Sequence, residues 1–583
     1  MKFLLAITLT LSIAAQPFVS ASAQKSAKPR ALTEDQRILH VLNRLGFGAR
    51  PGDIERVKSI GLDNYINQQL NPEKIADTVA ENKIKDLTVL NMTTAQLYEK
   101  YPQPGQLLRQ LQARGMLPAD LAEARENRVK GGANSPAAEM PKNDSMPQTP
   151  PPGNPLENEK YRKVLQDYYR ENGLQQPQRI IAELHASRIL RAVYSERQLQ
   201  EVMVDFWTNH FNVFAGKGAD RWLLPAYDRD TIRPHALSKF STLLQATAQS
   251  PAMLFYLDNF QSVSPNAMQR LRVPQQQQRR GINENYAREL MELHTLGVEG
   301  GYTQKDVQEV ARCFTGWTIF QPRGGGAAVN AMMGEAGRRN AGTFFFNNRT
   351  HDDGEKTVLG HKIPAGGGIK DGLAVLDILA RHPSTAKYIA TKLVRHFVAD
   401  DPPPALVDRV AAAFTKSDGD IRETLKAIFF SKEFNSTEAY RAKIKRPFEL
   451  VISAIRTLGA ETNGGPATHQ WIARMGEPLY GFQTPNGYSD AAESWVNTGG
   501  LLERMNFGLA LAGNRVQGTR VDLTRFTSGD KSQSKVMDES LKTILAGEIS
   551  PATRETLLKQ LDQSDPVTKV VGLILGTPEF QRQ

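Results

Sequence analysis

Apolar residues recur at three- and four-residue spacing through most of the chain, including segments 32–45, 51–60, 62–70, 159–170, 177–192, 195–213, 285–296, 303–315 and 385–398. That period puts the apolar side chains of each segment on one face of a helix. Thr33 with Gln36, Ser195 with Gln198 and Thr303 with Asp306 have the spacing of capping boxes, in which each side chain satisfies a free amide of the first turn. Gly46 and Gly48, Gly61, Gly300 with Gly301, and Gly316 stand where helices are expected to stop. Short loops between successive helices imply antiparallel neighbours. Alternation of period two is rare, and one β-hairpin is predicted where 343–346 and 356–359 flank the turn-forming pair Asp353-Gly354. The expected fold class is mainly α, a large multi-helix bundle or array with one small β-hairpin and long loop insertions. AIFFSKEF at 427–434 and LILGTPEF at 573–580 are a short echo of helix plus turn.

Three stretches interrupt the pattern. Segment 131–155 has seven prolines and no aromatic residue, so it cannot bury enough apolar surface to offset the entropy of ordering. Pro274 and the glutamines 275–278 sit among arginines in a second expected loop, and 322–342 is a third. The resulting division is an N-terminal helical region (24–130), a proline-rich insertion (131–156), a central helical region (157–320), a glycine-rich loop with the hairpin (321–371) and a C-terminal helical region (372–583).

Residues 1–23 form a separate unit. Lys2, an apolar run from Phe3 to Ala15, and small residues at Ala21 and Ala23 have the layout of a secretory signal peptide cleaved after Ala23. The apolar run is shorter than the roughly 20 residues that span a bilayer, and no later segment is a spanning candidate. The expected location is periplasmic or extracellular. The one cysteine, Cys313, has no partner for an intrachain disulfide, so an exported chain of 583 residues relies on packing. Removing Lys2 leaves 71 basic against 62 acidic residues, a mild excess over a long chain, and no aromatic-basic module accompanies it. Nucleic acid is not an expected partner.

Polar chemistry concentrates in a few places. In 195–213, His210 continues the stripe of Leu199, Met203 and Phe206, while Asp205, Asn209 and Asn212 occupy a neighbouring stripe. His210 reads either as a buried imidazole tied to a backbone carbonyl or as a ligand-facing or catalytic one, histidine being the side chain most readily tuned near neutral pH. In 283–317, Glu284, Arg288 and Glu292 suit helical ion pairs, Asn285, Glu289 and Glu292 form a second stripe, and His294 falls on the apolar side. Glu289 and His294 are five residues apart, about 140° around a helix, which disfavours joint ligation of one ion. Arg312 suits a pair with Glu309 or an anionic ligand. The run HDDGEK places His351 beside Asp352 and Asp353, explained equally by a turn or by metal ligation. No HExxH, GxSxG or phosphate loop occurs.

The segments LNRLGFGARP (42–51), FWTNHF (206–211), AMLFYLDN (252–259), 283–317, HDDGEKTVLG (351–360), KRPFELV (445–451) and PEFQ (578–581) together resemble the bacterial family called domain of unknown function 1800. The resemblance implies an exported, mainly helical protein with no established activity. It also implies a partner, since similar proteins are often encoded beside a sulfatase-like family, domain of unknown function 1501. No catalytic residues carry over from the family, and the cofactor, if any, stays unknown.

Two functions follow from this reading. One is a polar ligand-binding or catalytic pocket for envelope or extracellular substrates, with His210 and Glu289 as acid and base and Asp205, Asn209, Asp258, Asn285, Arg288, His294, Arg312, Trp317, His351 and Asp352 as binding residues. In that reading His210, Asp258, Asn285, Glu289 and His351 converge on one pocket. The other is a non-enzymatic secreted assembly protein working with a sulfatase-like partner.

Overall fold

The computed structural model describes residues 31–119, 121, 123, 155–266, 281–321, 337, 339–526, 532–560 and 566–583. The expected signal peptide, nearly all of the proline-rich insertion, the glutamine loop and most of the 322–342 stretch lie outside them. The chain is mainly α, and among the described residues its strands form only three short antiparallel pairs.

The local signals for helix starts hold where both partners lie in the same turn. Thr33 and Gln36 cap the helix Glu34–Arg44 reciprocally, and Thr303 and Asp306 do the same for Gln304–Cys313. The box expected from Ser195 and Gln198 does not form. The helix Gln198–His210 has no side-chain cap, and Ser195 instead ends the preceding helix, Gln178–Tyr194. Ser195 donates to Asp77 at 2.9 Å, and the Gln198 amide bonds the Ala192 and Ser195 carbonyls while accepting from the Phe47 amide at 3.0 Å. Distant partners compete for these side chains and win.

The strands differ from expectation in pairing rather than in position. Segment 343–346 pairs not with 356–359 but with Trp317–Phe320, giving β1 (Trp317–Phe320) and β2 (Thr343–Phe346). β3 (Lys356–Val358) turns back immediately onto β4 (His361–Ile363). The two residues between them, Leu359 and Gly360, have φ of 49° and 80°, the left-handed pair that a tight hairpin turn requires. This hairpin leans on Gln304–Cys313, where Glu309 and Asp306 accept from the amides of Thr357 and Leu359 at 2.9 and 2.8 Å.

One large core joins both ends of the chain. It takes Val41 and Leu42 from the first helix, Trp207 and Phe211 from the centre, and Ile452, Val571 and Phe580 from the C-terminal third. A buried ion network crosses this core. Asp205 pairs with Arg188 at 2.8 Å and with Arg446; Arg446 also meets Glu477 at 2.8 Å, and Arg233 bonds Glu201 at 2.6 Å. Such a network ties elements from residue 188 to residue 477 into one arrangement, because a buried charge that loses its partner keeps its desolvation cost. The region 283–296 is helical with a change of pitch: Glu284–Glu289 is α, and Leu290–Thr295 is a π-turn in which the Leu296 amide reaches back to Met291 at 2.7 Å. Wide turns of this kind recur at functional sites.

Candidate functional site

The FWTNHF helix ends beneath an irregular loop, residues 476–495, and its polar stripe holds that loop in place. Asn209 donates to the Tyr488 carbonyl at 2.9 Å and accepts from the Tyr488 amide at 2.7 Å. Asn212 donates to the carbonyls of Phe482 and Thr484 at 3.0 and 2.8 Å, and Tyr256 donates to Gln483 at 2.8 Å. Side-chain amides thus supply the pairing that a neighbouring strand would give in a sheet. Gly487 lets the loop come so close: its φ is +71°, and a Cβ there would stand 2.3 Å from the Asn209 carbonyl oxygen.

Between this loop and the helix Pro383–Phe397 lies a cavity of about 840 Å³. Lys392 and Arg395, one turn apart, form its cationic side, and Asp490 faces them from the loop. Phe482, Tyr488 and Trp495 form an aromatic wall, with ring centroids 4.6 Å apart for the first two and 5.9 Å for the last two. The Lys392 ammonium has no hydrogen bond or ion pair among the described residues. Its polar surroundings are the Tyr388 ring at 6.0 Å and the field of Asp490. Burial pushes its pKa down, Asp490 opposes the shift and Arg395 adds to it. Arg395 gives one N–H to the Asp400 carbonyl at 3.1 Å. Burial disfavours the charge on Asp490, but His396, Lys392 and Arg446 outweigh it and hold the carboxyl well below its usual range. Asp490 is therefore a fixed acceptor opposite two donors.

Two imidazoles stand behind the cationic side. His210 and His294 are buried, 6.2 Å apart between ring centroids, and the His210 Nε2 donates to the His294 carbonyl at 3.1 Å. Burial, then the nearby Lys392, pushes His294 down to about 3, and burial with Lys392 and His294 holds His210 well below its usual value. Both rings are neutral at physiological pH, and His210 Nδ1 and His294 Nε2 have no partner.

The residues singled out in the sequence fall into several neighbourhoods. His210, His294 and Asn209 adjoin the cleft. Asp205 lies inside the buried ion network. Asp258, at φ 59°, is exposed beside Lys217 at 2.7 Å, and Asn285 is exposed. Arg288 bonds Gln304 at 2.7 Å, and Gln304 in turn bonds Glu284, so the expected run of helical ion pairs is replaced by an amide relay. Glu289 is half-buried with no hydrogen-bond partner among the described residues, and burial followed by Glu292 raises its pKa against the pull of Arg288.

His351, Asp352, Arg312 and Trp317 cluster elsewhere. His351 is fully buried, its Nδ1 donating to the Thr315 carbonyl at 2.8 Å and its Nε2 accompanying Asp371 at 3.1 Å. Asp371 also pairs with the buried Lys356 at 2.5 Å, and Asp352 takes Arg312 at 2.9 Å. Arg312 pairs with Glu309 at 2.9 Å as well. Trp317 is buried, its ring lying where a Cβ on Gly372 would be 2.6 Å away. His210, Asp258, Asn285, Glu289 and His351 share no hydrogen-bond partner. Among the described residues no three histidine, cysteine, aspartate or glutamate side chains group closely enough to hold a metal ion.

The sequence reading missed Lys392, Arg395, Asp490 and the aromatic wall. The one available signal was indirect: Asn209 and Asn212 on a helix face with no local partner, and a Gly-, Asn- and aromatic-rich stretch at 481–488 with no helical period.

Fold and cleft together describe a helical protein whose charged, aromatic-walled pocket is shaped by a side-chain-tethered loop. Residues 40–582 match the family model described as "Protein of unknown function (DUF1800)", and the chain belongs to that family. No curated protein and no solved structure matches it.

Proposed function

We propose that the protein is exported and binds an anionic ligand with a flat or sugar-like body, of envelope or extracellular origin, in the cleft beneath loop 476–495. The observation that carries this reading is the Lys392 ammonium, enclosed in a pocket wall without a hydrogen bond or ion pair. Lys392 is half-buried, and a cation partly stripped of water and given no protein partner recovers free energy when an anion binds it. Arg395 extends the donor set, Asp490 accepts from ligand hydroxyls, and the wall of Phe482, Tyr488 and Trp495 covers the ring face. No helix among the described residues is long and apolar enough to cross a membrane, which is compatible with release after signal cleavage.

The test is calorimetry of the mature chain against uronates, sugar sulfates and sugar phosphates. Saturable binding that Lys392→Met and Arg395→Met each weaken at unchanged stability is the expected result; absence of saturation by any of the three classes overturns the reading. Export is checked separately, by recovering a chain that begins at Gln24 from the periplasm or medium.

A catalytic reading has one observation in its favour, the raised and unpartnered carboxyl of Glu289, which suits a general acid. The neutral His210, buried against a backbone carbonyl, is a weaker base than the sequence suggested. Glu289 is not in the cleft wall, so a Glu289→Gln variant that binds normally but no longer releases product would assign hydrolysis to a separate position on the protein.

A further inference from the structure

Three motif segments line no part of the cleft, although Arg446 of the second acts on Asp490: LNRLGFGARP, KRPFELV and PEFQ. The fold brings all three to one place. A second cavity, of about 320 Å³, lies between the first helices and the C-terminal ones, with Asn43, Lys445, Glu539, Lys542, Glu579 and Phe580 in its wall.

Lys445 is buried and has no carboxylate partner. Its ammonium donates to Ser453 at 2.9 Å and to the Phe580 carbonyl at 2.8 Å, and lies 4.1 Å from the centre of the Phe580 ring. Burial pushes this amine down to about 7, with Arg441 adding to the shift, Glu449 opposing it and Arg504 adding a smaller part. Glu579 spends one carboxylate oxygen on Ser550 and Thr553, while its Oε2 is buried with no partner. Glu539 and Lys542 lie one turn apart on the helix Gln533–Leu545, the spacing at which opposite charges usually pair. They do not pair here, and neither has another hydrogen bond or ion pair among the described residues; the Asn43 side chain has none either. The wall therefore presents unpaired groups of both signs, Lys542 and the Asn43 amide on one hand and Glu539 and Glu579 Oε2 on the other, while Lys445 keeps one N–H beyond its bonds to Ser453 and Phe580.

We infer that this cavity is a second binding site, distinct from the cleft, for a small zwitterion carrying both a carboxylate and an ammonium group, such as a free amino acid or a short peptide. The carboxylate meets Lys542 and the Lys445 end of the wall, and the ammonium meets Glu539 and Glu579. The two halves act together because a ligand with only one charge leaves the opposite wall group unpaired.

The experiment uses the full mature chain and isothermal titration with glycine and glycylglycine, with acetate, methylammonium and inorganic phosphate as single-charge probes. Lys542→Gln and Glu539→Gln change partly or fully exposed helix positions, which keeps the fold intact. Each is expected to weaken zwitterion binding by about tenfold or more, the scale of one charge-assisted contact, while Lys392→Met in the other cleft leaves it unchanged. Glycine and glycylglycine should differ in affinity, which separates the free amino acid from the peptide end. Three outcomes would overturn the inference: no saturation by either zwitterion at millimolar concentration, binding unaffected by both helix variants, or phosphate or acetate binding as tightly as the zwitterions.

Discussion

The molecule has two dense polar centres that look alike in sequence and differ in how their charges are spent. Around His351 the buried charges are answered: Lys356 and His351 share Asp371, and Arg312 takes both Asp352 and Glu309. Around Lys392 the pairing is incomplete: Asp490 has His396 and Arg395 has the Asp400 carbonyl, but the Lys392 ammonium has no hydrogen bond or ion pair among the described residues. Both centres adjoin buried imidazoles, so burial of histidine does not tell them apart. The completeness of partnering does. A closed centre stabilises the fold, and an open one leaves donors that, on the proposed function, an anionic ligand would take.

The sharpest way to break this comparison is to remove one member of the closed centre. Asp371→Ala leaves the buried Lys356 with only the Asp352 carbonyl and, 4.0 Å away, its carboxylate, and a loss of about 3 kcal/mol is expected from chemical denaturation. If the variant retains wild-type stability, the His351 centre is not structural. Asp205→Ala, which leaves Arg446 to Glu477 and Arg188 to the more distant Asp228, should cost less than this by the same measurement.

Acid should act next, on the region behind Lys392. His294 is pushed down to about 3 from an ordinary value of 6.5, so between those values the unfolded chain binds a proton that the folded one refuses. The stability from this neutral ring is complete above pH 6.5 and is lost as the pH falls toward 3, at about 1.4 kcal/mol per pH unit for one fully shifted group. His294→Phe should flatten the acid limb of the stability curve by about that slope; an unchanged limb means that the ring is protonated in the folded state.

Smaller effects separate tethering from binding. Asn209→Ala removes both bonds to Tyr488, and a loss of about 1–3 kcal/mol is expected together with weaker ligand binding, because the wall of the cleft moves. Lys392→Met is the opposite case. Its expected effect on stability is under about 1 kcal/mol, since no internal bond is lost and a desolvated charge disappears, while anion binding is abolished. A large loss of stability in this variant would place Lys392 with the closed centre.

How much of this was legible in the sequence depended on the distance over which each signal acts. Thr33 with Gln36 and Thr303 with Asp306 act within one turn, and the structure keeps them. Ser195 and Gln198 have the same spacing, yet Asp77 and Phe47 are nearby in space and claim them. The strands were visible as 343–346 and 356–359, but their partners depend on which segment reaches them first. For β3 that is β4, through a turn formed by Leu359 and Gly360. In the site, the stripe of Asp205, Asn209 and Asn212 was readable from helical spacing. What it faces was not, because loop 476–495 has no period and Lys392 sits on an ordinary amphipathic helix, where a lysine is usually solvated.

The meeting of the first and last helices has a consequence for biosynthesis. Gln36 donates to Glu548 at 2.7 Å across 512 residues, and Arg456 reaches back to the Gly48 carbonyl at 2.9 Å. At roughly 5–20 residues per second, the helix Glu34–Arg44 waits tens of seconds on the ribosome before its C-terminal partners exist. Its apolar face must be shielded by other means through that interval, and contacts of such long range form slowly even afterwards. A chain built this way is suited to a cell that keeps it unfolded during synthesis and lets it close all at once.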